Sequence, residues 1–526
     1  MSGVQCSKTV KRVSANCGDA LFIFGRPDGN KSICRFGYVV NAPGTRRAMP
    51  PGRQKGKASL ERTTPIIRFG NDGWHARFDE GFDSQNVIRV ADALGLLWAD
   101  AAPDSGGSVY VGFDTRHRSE EFAREVAGAI ASYGLAVKVS SSPCPTPVVG
   151  WNCARDPKAL GGVVITSSER SCEYGGLIVR GTDGGTCPRE FLDKVEQEIF
   201  QQASTEAGPF EVADLTSPYV KALAEFVGEP VIRPLKVVVD PMYGSATGVL
   251  ADLVRSLGHE VIEIHAEKLE DFDGIHPDPK DPWADACEQA VVATGADLGI
   301  LVDGDGDRAA AVDEYGNILA VRELTPLLLS YIGGELGMRG RVVTTLTCSA
   351  SVELEARRLG FEYTSVPVGF GRIYRELQEG DVLLGAEEYG GISIPAHLKE
   401  RDGLLVSLLL VQMVSKSGLT LRELVNKLDA EIGSRRYIRR DVRLEPALTQ
   451  AFRNVLPGLN PQEIAGRVPV EVSHADGLRL QFDDDSWVLM RPSRTDSVVR
   501  VYAEAPTARE RDELLESACS IARGGF

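Results

Sequence analysis

Residues 298–308 read LGILVDGDGDR. A short apolar run ends abruptly in three aspartates, Asp303, Asp305 and Asp307, spaced by Gly304 and Gly306 and closed by Arg308. The run has the length and apolar content of a buried strand, and the glycines open the loop that follows it. Three like charges at alternating positions repel one another unless a cation neutralises them. An all-oxygen set suits a hard divalent ion, with Mg²⁺ the usual choice for phosphate chemistry. A calcium-binding EF-hand is excluded by two features. Loop position 6 is Arg308 instead of glycine, and the flanks read as strands although Glu314 falls at position 12. A strand that delivers carboxylates to its carboxyl end implies an α/β sheet, because ligands of such sheets sit beyond those ends.

Working outward, the same texture repeats from Ile66 onward. VYVGFD, VVITSS, LKVVVDP and VLLGAEE are further apolar runs that stop in polar or glycine-rich loops. Helical patterns lie between them, including SEEFAREVAGAIASYG and ADACEQAVVATG. Alternating strands and helices predict α/β layers with substantially parallel sheets. The 404–414 run is too short to span a bilayer and reads as a buried or amphipathic helix.

At 526 residues the chain is too long for one core, and roughly three to five domains are expected. Its 43% apolar and 25% charged residues are ordinary for a globular protein. The ten cysteines contain no C-x-x-C pair, so neither a structural zinc site nor a disulfide framework is expected. With no apolar membrane span and no secretory signal, the expectation is a cytoplasmic protein without a membrane partner. Net charge is −16, unevenly spread. Residues 1–64 carry 12 Lys/Arg against 3 Asp/Glu, leaving −25 on the remainder. Nucleic acid is therefore not expected as a partner, and any anionic ligand needs local cations. The basic head lacks periodicity and is expected to be a disordered extension, with Met49 a second candidate start.

Three further loops carry candidate chemistry. In VVITSSERSCEYGGL, 163–177, a strand presents Ser168 beside Glu169 and Arg170. A serine needs activation to act as a nucleophile, and no G-x-S-x-G elbow is present to suggest a hydrolase. In LLGAEEYGGISI, 383–394, Glu387 and Glu388 precede Tyr389 and two glycines, a backbone suited to polyol hydroxyls. In WVLMRPSRTDSVVRVYAEA, 487–505, the turn RPSRT offers Arg491, Ser493, Arg494 and Thr495 between two strands, with guanidiniums suited to bidentate phosphate recognition.

A hydroxyl loop, a carboxylate loop, a polyol loop and a phosphate loop, in that order, resemble the α-D-phosphohexomutase superfamily of phosphoglucomutases and phosphomannomutases. RFGNDGWHARF resembles the family opening F-G-T-D-G-W-R-G, and TSSERS stands where the family has T-A-S-H-N-P. DGDGDR matches the metal loop. GAEEYGG resembles G-E-E-S-G-G, and RPSRTDSVVRVY resembles R-P-S-G-T-E-P-x-x-R-V-Y. The likeness runs from about Ile66 to Ala505, and the run GGISIPAHLKERDGL looks closest to the phosphoglucomutase-like branch. The resemblance implies four domains around a central cleft: three related α/β domains and a smaller α+β C-terminal domain. The expected limits are 65–209, 210–313, 314–432 and 433–526. It implies a phosphorylated Ser168 that exchanges its phosphoryl group with a hexose monophosphate through a bound hexose 1,6-bisphosphate. It further implies Mg²⁺ held by Asp303, Asp305, Asp307 and Ser168, with Glu169, Arg170 and Arg308 in the catalytic centre. Sugar recognition falls to Gly369, Arg372, Glu387 and Tyr389, and phosphate recognition to Arg491, Ser493, Arg494 and Thr495.

The departures from the family pattern cluster at the chemistry. Glu169, Arg170 and Ser171 replace H-N-P, and Ile178 stands where the family has a lysine proposed as acid/base. Gly371 replaces another lysine, His75 the arginine of G-W-R-G, Arg494 a glycine, and Tyr389 a serine. Two readings stay open: a rewired mutase, most simply a phosphoglucomutase with mannose and glucosamine phosphates as alternatives, or a weakened relative that binds sugar phosphates.

Overall fold

The computed structural model describes residues 66–70, 73–102, 107–228, 233–493 and 496–524. The basic head, Arg494 and Thr495 lie outside the described residues. Four sheets follow one another along the chain. The first comprises β1 (Trp74–Arg77), β2 (Ser108–Phe113), β3 (Ala136–Ser140), β4 (Ala159–Ile165), β5 (Tyr174–Arg180) and β6 (Glu211–Ala213), in the order β1-β5-β4-β2-β3-β6. The second comprises β7 (Lys236–Asp240), β8 (Glu260–Glu263), β9 (Leu298–Val302) and β10 (Ala309–Val312), in the order β10-β9-β7-β8. The third comprises β11 (Arg341–Thr345), β12 (Tyr363–Val366), β13 (Val382–Ala386) and β14 (Ile392–Ser393), in the order β12-β11-β13-β14. The fourth comprises β15 (Arg436–Arg443), β16 (Glu471–Ser473), β17 (Leu478–Gln481), β18 (Trp487–Pro492) and β19 (Val498–Ala505), all antiparallel, in the order β15-β19-β18-β17-β16. Strand β6 lies beyond residue 209, so the chain still serves the first sheet there before the helix Thr216–Val227 leaves it.

The first three sheets share a plan that the sequence hid. Each has a parallel core, and in each one loop makes an antiparallel step to the next strand in the chain: β4 to β5, β9 to β10, and β13 to β14; the first sheet adds β1, antiparallel to β5, at its edge. Those are the steps made by the serine, carboxylate and polyol loops. The expectation of substantially parallel sheets misses them for a physical reason. A loop of a few residues can join only antiparallel neighbours, whereas a parallel crossover needs about a dozen. Three chemically loaded loops thus occupy equivalent places at the carboxyl ends of β4, β9 and β13.

One buried helix binds these units together. The helix Gly403–Ser417 is buried from Gly403 to Ser415, as a helix apolar on nearly every side must be. Its residues share a continuous core with Val148, Val237, Val302 and Leu384, drawn from the first, second and third domains. Asp402 caps it, accepting hydrogen bonds from Leu405 N at 3.0 Å and the Tyr219 hydroxyl at 2.8 Å. Among the described residues no single helix is long and apolar enough to cross a membrane.

The fourth domain docks on the third through a small apolar patch, Trp487, Leu489 and Tyr502 against Ala350. Buried Glu504 anchors it, accepting from Ala350 N and Trp487 Nε1, each at 2.7 Å, and from Ser349 Oγ. Burial pushes this carboxyl upward, but it faces the N-terminus of the helix Ala350–Leu359, where a negative charge is favoured.

Leu409 is fully buried in the shared core. Leu409→Ala is expected to lower stability by about 2–5 kcal/mol in urea denaturation; a loss below about 1 kcal/mol would show that this helix is not the common core.

Candidate active site

Strand β4 leads into Thr166, Ser167 and Ser168, all buried. Ser168 takes a left-handed backbone, φ 50°, which a non-glycine residue holds only when its surroundings over-determine it. The surroundings do so. Ser168 N donates to Thr166 Oγ1 at 3.0 Å. The guanidinium of Arg116 donates to the carbonyls of Ser168, Arg170 and Ser171 at 2.5, 2.6 and 2.6 Å, and reaches that of Tyr174 at 3.4 Å. Its Nε pairs with Asp114 at 3.0 Å, so all five donors are used. Arg116 is buried, 4.7 Å over the Phe272 ring. Sequence reasoning passed over it; the available signal was that VYVGFD runs straight into Thr115 and Arg116, as the other strands run into their chemistry. The Ser168 hydroxyl donates to Asp303 Oδ2 at 2.9 Å. Beside it, the Ser167 hydroxyl lies 3.0 Å from His75 Nδ1 on β1.

The three aspartates of the β9–β10 loop are wholly buried, and one oxygen from each lies within 4.8 Å of the others. Asp303 Oδ1 accepts from the amides of Asp307 and Arg308 at 2.9 and 3.0 Å, and Asp305 Oδ2 from the Thr146 hydroxyl at 2.6 Å. Asp305 Oδ1 and Asp307 Oδ1 are buried with no hydrogen-bond partner. Burial and the neighbouring carboxylates push Asp303 well above the usual carboxylate range, and burial and Asp307 push Asp305 up to about 7. A buried, mutually repelling all-oxygen set with orphaned acceptors is the environment that a divalent cation relieves, and the residues present fit Mg²⁺.

Two arginines flank the triad. Arg308 pairs with Glu169 at 2.9 Å and stands 3.8 Å from Asp307 and 4.0 Å from Asp303. Burial acts to raise the Glu169 carboxyl, but Arg308, the loop amide and Arg170 outweigh it and hold the group at about 2. Glu169 is therefore a carboxylate at neutral pH and a weak proton acceptor. Arg170 is exposed, its guanidinium 5.5 Å over the Tyr174 ring. Arg401 joins the carboxylate and polyol loops, pairing with Asp307 at 2.8 Å and Glu387 at 2.9 Å. Its neighbour Glu400 pairs with Arg180 of β5 and accepts from Thr186, which ties the same segment to the first sheet. Arg401 was legible only as part of KERDGL.

The remaining candidates are spread more widely. Gly369, φ 120°, caps the helix Phe370–Glu379, and exposed Arg372 lies in its first turn. Ile178 is buried in β5 as an apolar core residue. In the fourth domain, Arg491 pairs with Asp476 at 2.7 Å, and Asp476 also accepts from Val368 N at 3.1 Å beside Gly369. The Ser493 hydroxyl donates to Asp496 at 3.0 Å, and Arg453, which sequence reasoning also missed, donates to the Ser493 carbonyl. The loop carrying Arg491 is thereby brought to the loop carrying Gly369.

Comparison with known proteins agrees with this geometry. The four phosphoglucomutase/phosphomannomutase domain models, α/β/α domains I, II and III and the C-terminal domain, match residues 67–206, 217–316, 323–431 and 460–520. The chain is 28% identical over 457 residues to a phosphoglucomutase/phosphomannomutase of Thermococcus kodakarensis, covering 85% of this chain and 96% of the relative. It is 27% identical over 462 residues to a phosphoglucosamine mutase of Carboxydothermus hydrogenoformans, covering 86% and 98%. A crystal structure from Thermus thermophilus, assigned as a phosphomannomutase, superposes with a TM-score of 0.76 at 29% identity, covering 88% of this chain and 100% of that one.

Arg116→Met is expected to speed amide hydrogen exchange across 166–174 by about tenfold or more, since bonds from a charged donor are lost. Unchanged exchange there would contradict the clamp. Saturating Mg²⁺ is expected to raise the thermal midpoint by several degrees. Asp305→Asn is expected to raise the midpoint of the metal-free protein, by removing repulsion, and to abolish the Mg²⁺ shift. A full Mg²⁺ shift in that variant would remove Asp305 from the metal set.

Proposed function

The chain belongs to the phosphoglucomutase/phosphomannomutase family of α-D-phosphohexomutases, and on that premise we propose that it interconverts the 1- and 6-phosphates of glucose through a phosphoserine at Ser168. The observation that carries the reading is the Ser168 hydroxyl 2.9 Å from a buried carboxylate triad, in a loop whose backbone is clamped. The leaning to glucose rests on the 390–404 run, which resembles the phosphoglucomutase-like branch. A second reading, glucosamine phosphate, is favoured by the naming of relatives such as the Carboxydothermus protein.

In the proposed cycle, the free hydroxyl of a bound glucose monophosphate attacks phosphorus on Ser168. The new O–P bond forms as the Ser168 Oγ–P bond breaks, which leaves a bisphosphate. The sugar then reorients, and its other phosphoryl group returns to Ser168. The hydroxyl proton passes to a water held at the substrate, because Glu169 is too weak a base and Ile178 has no base to offer. Glu169 instead fixes Arg308 beside the transferring group, where fixed positive charge stabilises it. Asp303, Asp305 and Asp307 would hold Mg²⁺, which when bound supplies charge neutralisation at a phosphoryl oxygen. Glu387, Tyr389, Gly369 and Arg372 form the proposed sugar site. Arg491 and Ser493 form the described part of the phosphate site, with Arg494 and Thr495 assigned to it from sequence. Of the limits 65–209, 210–313, 314–432 and 433–526, the proposed domain boundaries keep all but the first, which moves past β6 because that strand pairs with β3.

The test is a coupled assay over glucose, mannose and glucosamine 1-phosphates, with Mg²⁺ and a trace of bisphosphate. Fastest turnover on the glucose substrate is expected, some 10²- to 10⁴-fold below an enzyme with a general base in place. Ser168→Ala should abolish it without loss of fold. Preference for glucosamine phosphate supports the second reading, and wild-type rates in Ser168→Ala would refute the carrier assignment. Arg491→Ala should weaken binding of sugar phosphate at least tenfold and leave free-sugar binding unchanged; equal effects on both would remove it from the phosphate site.

A further inference from the structure

Tyr389 stands at a position where the family's sugar loop has serine, and its ring meets two cations from other domains. Lys280, in the segment between β8 and β9, has its ammonium 5.4 Å from the ring centroid. Arg439, on β15, has its guanidinium carbon 5.9 Å from the same centroid. Each cation is oriented by its own carboxylate: Lys280 by Asp278 at 2.5 Å, and Arg439 by Asp441 at 2.9 and 3.2 Å. Arg439 also lies 5.8 Å over Tyr502. A single aromatic ring in the β13–β14 turn is thus where the second, third and fourth domains touch. A serine there offers no π face, so it could make neither of these cation–π contacts.

Among the described residues the fourth domain is otherwise tied to the third, by bonds such as the Tyr437 hydroxyl on the Thr347 carbonyl at 3.0 Å and Val368 N on Asp476 at 3.1 Å, and these leave the second domain out. Its docking patch on the third domain is small, centred on Trp487, Tyr502 and Glu504, and a small patch acts as a pivot more than a clamp. Substrate must bridge the sugar loop and the loop carrying Arg491 and Ser493. Binding is weakened by the fraction of molecules in which those loops stand at the wrong separation. A contact beside that patch that also grips the second domain raises the competent fraction before substrate arrives.

We infer that Tyr389, gripped by Lys280 and Arg439, is a clasp joining three domains, and that its part in the proposed sugar site is that of a positioning residue, which sets the separation between the sugar loop and the phosphate loop without itself contacting the sugar. The inference rests on the proposed function for its kinetic consequence, though not for its structural one. Tyr389→Leu keeps the bulk and removes the π face, whereas Tyr389→Phe keeps the ring. The clasp predicts that Tyr389→Leu raises KM for the hexose phosphate about 5- to 30-fold, the ratio expected for two cation–π contacts, with kcat changed less than about twofold. Tyr389→Phe should stay within about threefold of wild type.

Arg439→Met should raise KM as well, and the double variant Tyr389→Leu/Arg439→Met should be no worse than the more affected single one, because Tyr389→Leu already removes the Arg439 contact. A direct sugar contact by Tyr389 would instead give additive effects. Small-angle scattering of the free proteins supplies a readout independent of turnover: a larger radius of gyration is expected for Tyr389→Leu and Arg439→Met, and a wild-type value for Tyr389→Phe. Additive KM effects, or wild-type scattering from both clasp-breaking variants, would overturn the inference. Failure of the wild-type protein to turn over any hexose phosphate would defeat the functional reading and leave the scattering test of the clasp intact.

Discussion

Three carboxylates packed with no solvent exposure are the constraint around which the molecule is arranged. Unpaired buried charge is among the costliest features a fold can carry, and each neighbour of Asp303, Asp305 and Asp307 answers part of that cost. Backbone amides of the same loop satisfy Asp303, Thr146 of the first domain satisfies Asp305, and Arg401 of the third reaches Asp307. Arg308 adds positive charge from within the loop and holds Glu169 beside the serine. What these groups leave unmet, two buried oxygens without a hydrogen bond, is the part a divalent cation completes. The domains are thus tied together through the groups that carry the charge.

The serine loop is a second expression of the same principle. Arg116 commits every donor to loop carbonyls and Asp114, so none remains for a phosphate. Its contribution is to hold Ser168 in a backbone conformation that a serine would not adopt alone, with the hydroxyl directed at Asp303. Positive charge for a phosphoryl group is left to Arg308 and to exposed Arg170.

Much of this was legible in the sequence. Strand runs that break into Asp-Gly-Asp-Gly-Asp, Ser-Ser-Glu-Arg or Glu-Glu-Tyr-Gly-Gly announce both the α/β fold and the loops that carry chemistry, because a buried strand has no other reason to end in charge. Two kinds of feature were not legible. Antiparallel steps at β5, β10 and β14 look like any other apolar run, since pairing direction is set by loop length and tertiary context. Arg401 acts across domains, Arg116 and Arg453 act on loops some 40 or more residues away, and a lone arginine in sequence is far more often a solvated side chain. The consequence of replacing serine by Tyr389 was also hidden, because the cations it meets come from segments more than 40 residues away on either side.

The central claim is that Ser168 carries a phosphoryl group to and from a hexose phosphate. Intact mass spectrometry of the purified protein, before and after brief exposure to glucose 1-phosphate with Mg²⁺, tests it most directly. The account predicts one phosphoryl mass localised to Ser168 by fragmentation, lost to the sugar as bisphosphate and regained on incubation with bisphosphate. A phosphoryl group on any other residue, or a protein that neither gains one from bisphosphate nor surrenders one to the monophosphate, would contradict it.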